Sequence, residues 1–296
     1  MSLRNKFIPI LAFSSIALLG CMSTETVPQE SITQATTSTS INLITGPDER
    51  NGRSLENVQA AIPTATRLLT QDLGFSLPAL QIFLSNDAVW MTNQYLRVNN
   101  LNSGFRAGKM LAFSSCNPQA EAGLRAIFLC EGDAIYQDRQ RVQHVVAHEI
   151  WHSAVQYGLG LRACCTDRDF VVGRAPTGVT FYGPNWLLEG SAEMFGSFVT
   201  ANGNRAQFNS SMQSHLSRVP RDVDLTQLAS RGGFNANNGW AISPAAVYVL
   251  TNGDFSLLGT YFSQIAAGLS FGRAFEAAFG QDEATFAARF RASVRG

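Results

Sequence analysis

Apolar residues in the first half of the chain switch between helical spacing and short continuous runs, a pattern that predicts a small sheet flanked by helices. Leu55, Val58, Ile62, Leu68 and Leu69 share one face of a helix that starts at a Ser54 N-cap and runs to about Leu73. Pro63 is placed to kink or divide it. Leu80–Leu84 (LQIFL) is apolar over strand length, and a second helix follows at about Asp87–Leu96. Residues 99–109 are polar and contain glycine, as a loop does. Met110–Ser114 and Ala126–Cys130 read as two more strands, joined by the turn-rich SCNPQAEAG and therefore expected to pair. From about Asp138 to Tyr157, Val142, Val145, Val146, Ile150, Ala154 and Val155 give apolar cover on more than one side. That predicts a helix buried in a core, ending at Gly158. Residues 159–183 read as loop, and Pro184 opens a helix that ends near Asn202-Gly203. The remainder is helical in pattern, roughly Arg205–Arg218, Pro244–Leu250, Leu257–Ala267 and Phe271–Val294. The expected class is α+β, with a sheet-containing half to about residue 137 and a helical half over 184–296.

The buried helix carries HEIWH, His148 to His152. Residues four apart on a helix lie on one face, so His148 and His152 can present two imidazoles to one ion. Glu149, one step round, can reach a water in the ion's open position and take its proton. A histidine on an apolar helix face is ordinarily a hydrogen-bonded core residue. Two observations outweigh that reading: three of the chain's four histidines (His144, His148, His152) share this face, and Glu189 and Glu193 stand four apart in the later segment NWLLEGSAEMFG. His144, one turn before His148, is expected to be a packed or hydrogen-bonded neighbour rather than a ligand. A catalytic zinc ion takes three protein ligands and leaves one position for water, so a carboxylate must join the two histidines.

WLLEGSAE, residues 186–193, resembles the W-L-x-E-G-x-A-E segment of gluzincin metallopeptidases, and with H-E-x-x-H it covers about Gln140–Val199. The ending SFGRAFEAAFGQDEATFAARFRA resembles the C-terminal helices of the same group more faintly. The resemblance implies a thermolysin-like (zincin) core, Zn2+ as cofactor and a peptide or protein as substrate. It implies Glu189 as the third ligand, and Glu193 as the acidic residue that holds the first histidine in the right tautomer. Glu149 then serves as general base. A Tyr or His that stabilises the developing oxyanion would be sought among Tyr182, Tyr248 and His215. An exposed edge strand, Met110–Ser114 or Ala126–Cys130, would hold an extended peptide. One departure stands out: 36 residues separate His152 from Glu189, longer than in thermolysin-like or aminopeptidase N-like enzymes. The excess contains Cys164 and Cys165 and reads as an insertion pinned by a disulfide. No third histidine follows closely, which argues against the metzincins.

Composition adds a location. The formal net charge of the 296 residues is zero, which gives no electrostatic case for nucleic acid. Arg4 and Lys6 precede an apolar run from about Phe7 to Leu19, then Gly20-Cys21, the layout of a secretory signal over residues 1–20. Leu18-Leu19-Gly20-Cys21 resembles a bacterial lipoprotein cleavage box, which implies lipidation of Cys21. Met22 after it resembles lipoproteins sorted to the outer membrane, here expected to face the periplasm. Residues 21–40, rich in Ser and Thr, read as a tether, with the folded domain over 41–296. Cys116, Cys130, Cys164 and Cys165 remain, an even number in an exported chain, and four cysteines allow three pairings. A bridge between the neighbours Cys164 and Cys165 is strained, which favours each reaching Cys116 or Cys130. The expected pairing of the two strands makes Cys116–Cys130 a candidate as well. Two other functions fit the same residues: a non-catalytic binding or assembly lipoprotein on this fold, and a zinc amidase acting on cell-wall links.

Overall fold

Four short strands form one mixed sheet: β1 (Ile41–Thr45), β2 (Leu80–Ser85), β3 (Ala120–Ala122) and β4 (Ala126–Cys130), in the order β1-β2-β4-β3. The computed structural model describes residues 41–47, 52–116, 120–122, 125–132, 134–156, 158 and 183–294. β1, β2 and β4 are parallel, with Leu43 opposite Ile82 and Ile82 opposite Ile127. β3 runs antiparallel on the outer side of β4, Glu121 opposite Phe128. The period-two alternation of strands sorts their side chains between two cores. Leu80, Ile82, Leu84, Ile127 and Leu129 join the main core, while Phe83, Ala126 and Phe128 face a smaller one with Met91, Tyr95 and Phe113.

Between the strands lie α1 (Gly52–Arg67), α2 (Ala88–Val98) and α3 (Arg106–Ser114), and after them α4 (Arg139–Trp151). α1 and α4 pack together in the main core. Pro63 does not divide α1: it sits on the exposed face, where water can take up the carbonyl that its missing N–H leaves free. The C-terminal half is helical: α5 (Asn185–Thr200), α6 (Arg205–Leu216), α7 (Arg231–Ala236), α8 (Gly239–Thr251), α9 (Phe255–Ala266), α10 (Phe271–Phe279) and α11 (Glu283–Ser293). The architecture is therefore α+β, with a small sheet ahead of a helical half. The last expected helix is two, broken at Gly280 in the left-handed conformation.

Two expectations for the sheet are corrected. Met110–Ser114 is the end of helix α3, with Phe113 buried and Leu111 73% exposed. A five-residue apolar run cannot by itself distinguish strand from helix, and here only one of its residues is buried deeply. Ala126–Cys130 is a strand but not an edge, since β2 and β3 pair on either side of it. The edge is β3, a stretch of small and polar residues within the segment read as a turn. β1 was likewise legible only as the start of the folded part.

Cys116, just past α3, is bonded to Cys130 at the end of β4, with their Cα atoms 5.4 Å apart. That is the bridge for which Cys116–Cys130 stood as a candidate, and it removes both as partners for Cys164 and Cys165, contrary to the favoured pairing. α3 brings the chain back over the end of β4, a proximity that strand runs alone do not encode. Cys164, Cys165, Tyr182, Cys21 and the segments expected to be the signal and the tether lie outside the described residues. Among the described residues, no helix is long and apolar enough to cross a membrane.

The Tyr261 hydroxyl of α9 is buried beside Gly183 with no hydrogen-bond partner among the described residues. Burial, reinforced by the Glu283 carboxylate, pushes its pKa well above the ordinary phenol value. An unsatisfied buried hydroxyl costs stability, so Tyr261→Phe is expected to stabilise the protein by about 1 kcal/mol. Thermal unfolding should show a rise of about 2–4 °C for a domain of this size. A fall would mean that the hydroxyl has a partner in the folded protein.

Candidate metal centre

The Asp138 carboxylate caps α4 by accepting from the Gln140 and Arg141 amides, which fixes where the helix starts and so which residues face inward. α4 continues into a wider π turn over His152–Gln156. His148, Glu149 and His152 are all buried. α5 packs directly on α4, pinned by the Trp151 indole N–H donating to Ser191 Oγ at 3.0 Å. Its other side meets α8 so closely that a Cβ on Gly190 would lie 2.6 Å from the Ser243 carbonyl oxygen. The glycine after Glu189 is thus required by backbone approach, and the contact holds the first turn of α5 over α4.

These helices bring the expected ligands together. His148 Nε2 and His152 Nε2 are 2.9 Å apart, and each lies 3.4 Å from Glu189 Oε2. A tetrahedral zinc ion with ligands at about 2.0–2.1 Å has ligand–ligand edges of about 3.3 Å. Two edges fit as they stand, and the third opens by a few tenths of an ångström.

Hydrogen-bond accounting is more telling than the distances. His152 Nδ1 is 2.6 Å from Gln156 Oε1. The Gln156 amide cannot be turned round, because its Nε2 donates to the Leu188 carbonyl at 2.6 Å and to Ser191 Oγ at 3.0 Å. His152 Nδ1 therefore carries the proton, which in the neutral ring leaves Nε2 as the lone-pair nitrogen. His148 Nδ1 lies 3.0 Å from Glu193 Oε1. His148 Nδ1 makes no hydrogen bond of good geometry among the described residues, but the negative Glu193 carboxylate beside it favours a proton on that nitrogen. Both Nε2 atoms then offer lone pairs to each other and to a carboxylate oxygen. With both rings neutral, three acceptor atoms converge, an arrangement that a cation satisfies.

The charges agree. Burial would raise the pKa of Glu189, but the adjoining His148 and His152 imidazoles outweigh it and hold the carboxyl far below the usual range. Glu193 is depressed in the same way by His144 and His148. Burial disfavours the charged form of His148, yet Glu189 and Glu193 raise its pKa well above the ordinary imidazole value. Without a metal, a proton serves as the cation these atoms require. Glu149 is shifted upward, chiefly by burial and against the pull of His148 and His152.

Residues that sequence reading passed over complete the centre. Gln156 continues the row His148, His152, Gln156 by one more turn, a spacing that was available but carries no metal-site signature. Trp240 at the start of α8 keeps 47% of its surface exposed, although its ring centre lies 6.1 Å from that of His148. Glu121 of edge strand β3 lies close enough for its charge to raise the Glu149 pKa. It is held by Lys109 Nζ at 2.6 Å and the Tyr95 hydroxyl at 3.0 Å. Of the oxyanion candidates, Tyr248 is two turns along α8 from Trp240 and packs on Phe208, so it is not brought to the centre. His215 is half-buried and hydrogen-bonded to the Ala241 backbone, with its pKa lowered mainly by burial. No protein-family model, curated protein or solved structure matches this chain.

Proposed function

We propose that this chain is a zinc-dependent peptidase of gluzincin type on a thermolysin-like (zincin) core, exported and tethered through a lipid on Cys21 to the outer membrane, facing the periplasm. The observation that carries the reading is the convergence of two imidazole nitrogens and one carboxylate oxygen on a single point beside a buried glutamate. His148, His152 and Glu189 are the ligands for Zn2+, with Glu193 and Gln156 fixing the two imidazole tautomers. When bound, zinc supplies Lewis acidity toward a water and a scissile carbonyl. Glu149 takes the attacking water's proton and delivers it to the leaving nitrogen, a role that its upward-shifted pKa suits. A pure binding protein has no need of that base. β3, whose outer edge has no partner strand among the described residues, offers main-chain groups to an extended peptide as an added strand.

The test is metal content and cleavage together. Residues 22–296, purified without chelator, are expected to carry about one zinc per chain and to cleave casein, with activity lost to a chelator and restored by zinc. Zinc with cleavage of peptidoglycan fragments but not of casein would replace the peptidase by a cell-wall amidase. No zinc in folded protein would overturn the enzyme reading and leave a binding or assembly lipoprotein.

A further inference from the structure

We propose that His144 is a positioning residue for the metal centre, acting through Glu193 on His148; the inference rests on the zinc reading above. The Glu193 carboxylate is engaged at both oxygens. Oε1 faces His148 Nδ1 at 3.0 Å, and Oε2 faces His144 Nε2 at 3.0 Å. A carboxylate held at one oxygen alone can swing about its last torsion, and the imidazole it supports can tilt with it. His144 holds the second oxygen and removes that freedom. The row His144–Glu193–His148 thus fixes the plane of the ring whose Nε2 completes the centre.

The fold makes a place for this ring. A Cβ on Gly196 would lie 2.8–2.9 Å from three atoms of the His144 imidazole, so the ring lies directly over the glycine's α-carbon. Gly196 stands seven residues, two helical turns, after Glu189 on α5 and one turn after Ala192. The helix that supplies the carboxylates therefore also supplies the flat seat for the imidazole that steadies one of them. His144, Glu193 and His148 could alternatively be read as ligands of a second ion, since their ligand atoms also cluster. His148 would then have to give both nitrogens to metals, and the pairing of each carboxylate oxygen with one imidazole makes the row His144–Glu193–His148 the simpler arrangement.

The test compares zinc affinity, by competition with a chromophoric chelator, in the natural sequence, His144→Phe, His144→Gln and Gly196→Ala. His144→Phe keeps a ring but removes the donor, and zinc affinity is expected to fall about 10–100-fold. His144→Gln places an amide N–H where Nε2 was and should restore most of the loss, which a role in packing alone would not. Gly196→Ala keeps every hydrogen-bonding group but displaces the ring, and should fall between the two. If His144→Phe fails to fold, the Gln and Ala variants carry the comparison. Affinities all equal to that of the natural sequence would overturn the proposal while leaving the zinc reading intact. Two zinc ions per natural chain, one of them lost in His144→Phe, would replace it by a second metal site. Absence of zinc from the natural sequence would instead be a failure of the zinc reading itself.

Discussion

Glu149→Gln is expected to keep its zinc and lose about 10²–10⁴-fold in peptidase rate, the contribution of a positioned general base. Gln matches Glu in size and shape, so the buried helix need not repack, and neither ligand histidine is touched. What disappears is the capacity to accept a proton. Among the described residues nothing nearby replaces it on the proposed reading: Glu189 and Glu193 are held to histidines, and Glu121 is held by Lys109 and Tyr95. The measurement is kcat on a casein-derived peptide alongside zinc per chain. Full activity with zinc bound would remove Glu149 from the mechanism and return the protein to the binding reading.

Glu189→Ala should act on the metal itself. It removes the only carboxylate oxygen among the described residues that faces both Nε2 atoms, leaving two neutral nitrogens to hold a doubly charged ion. Zinc affinity is expected to fall further than the roughly 100-fold that loss of an outer partner can bring. Glu189→Gln separates charge from size and should weaken binding in the same direction. Circular dichroism checks that α5 survives, since its seat on α4 and α8 depends on Gly190 and Ser191 rather than on the carboxylate. Unchanged affinity in both variants would show that the ion, if bound, takes a different third ligand.

The helix that carries HEIWH was legible because its information is local. A spacing of four places two side chains on one helix face whatever else the chain does, so His148 and His152 could be paired from the sequence, and Glu189 and Glu193 likewise. The N-cap at Asp138 went unnamed, although its helix was placed within a residue. α3 and β3 were misread for the opposite reason. Met110–Ser114 is apolar yet helical, because one face rests on Tyr95 and Phe128 through Phe113 while Leu111 faces solvent. Ala120–Ala122 has almost no β signature and is a strand because β4 offers it an edge.

By itself, then, the sequence determined the α+β class, the buried helix and the residue types able to meet an ion, since periodicity and i to i+4 spacing are properties of a single segment. The tertiary structure decided which atoms meet. Only the packing of α5 on α4 aims Glu189 at two nitrogens and gives Glu193 a histidine on each oxygen. Only the turn after His152 brings Gln156 round to settle a tautomer. Hydrogen-bond direction depends on where two helices cross, and a crossing is fixed by the close approach at Gly190 and Gly196, to which no local pattern refers.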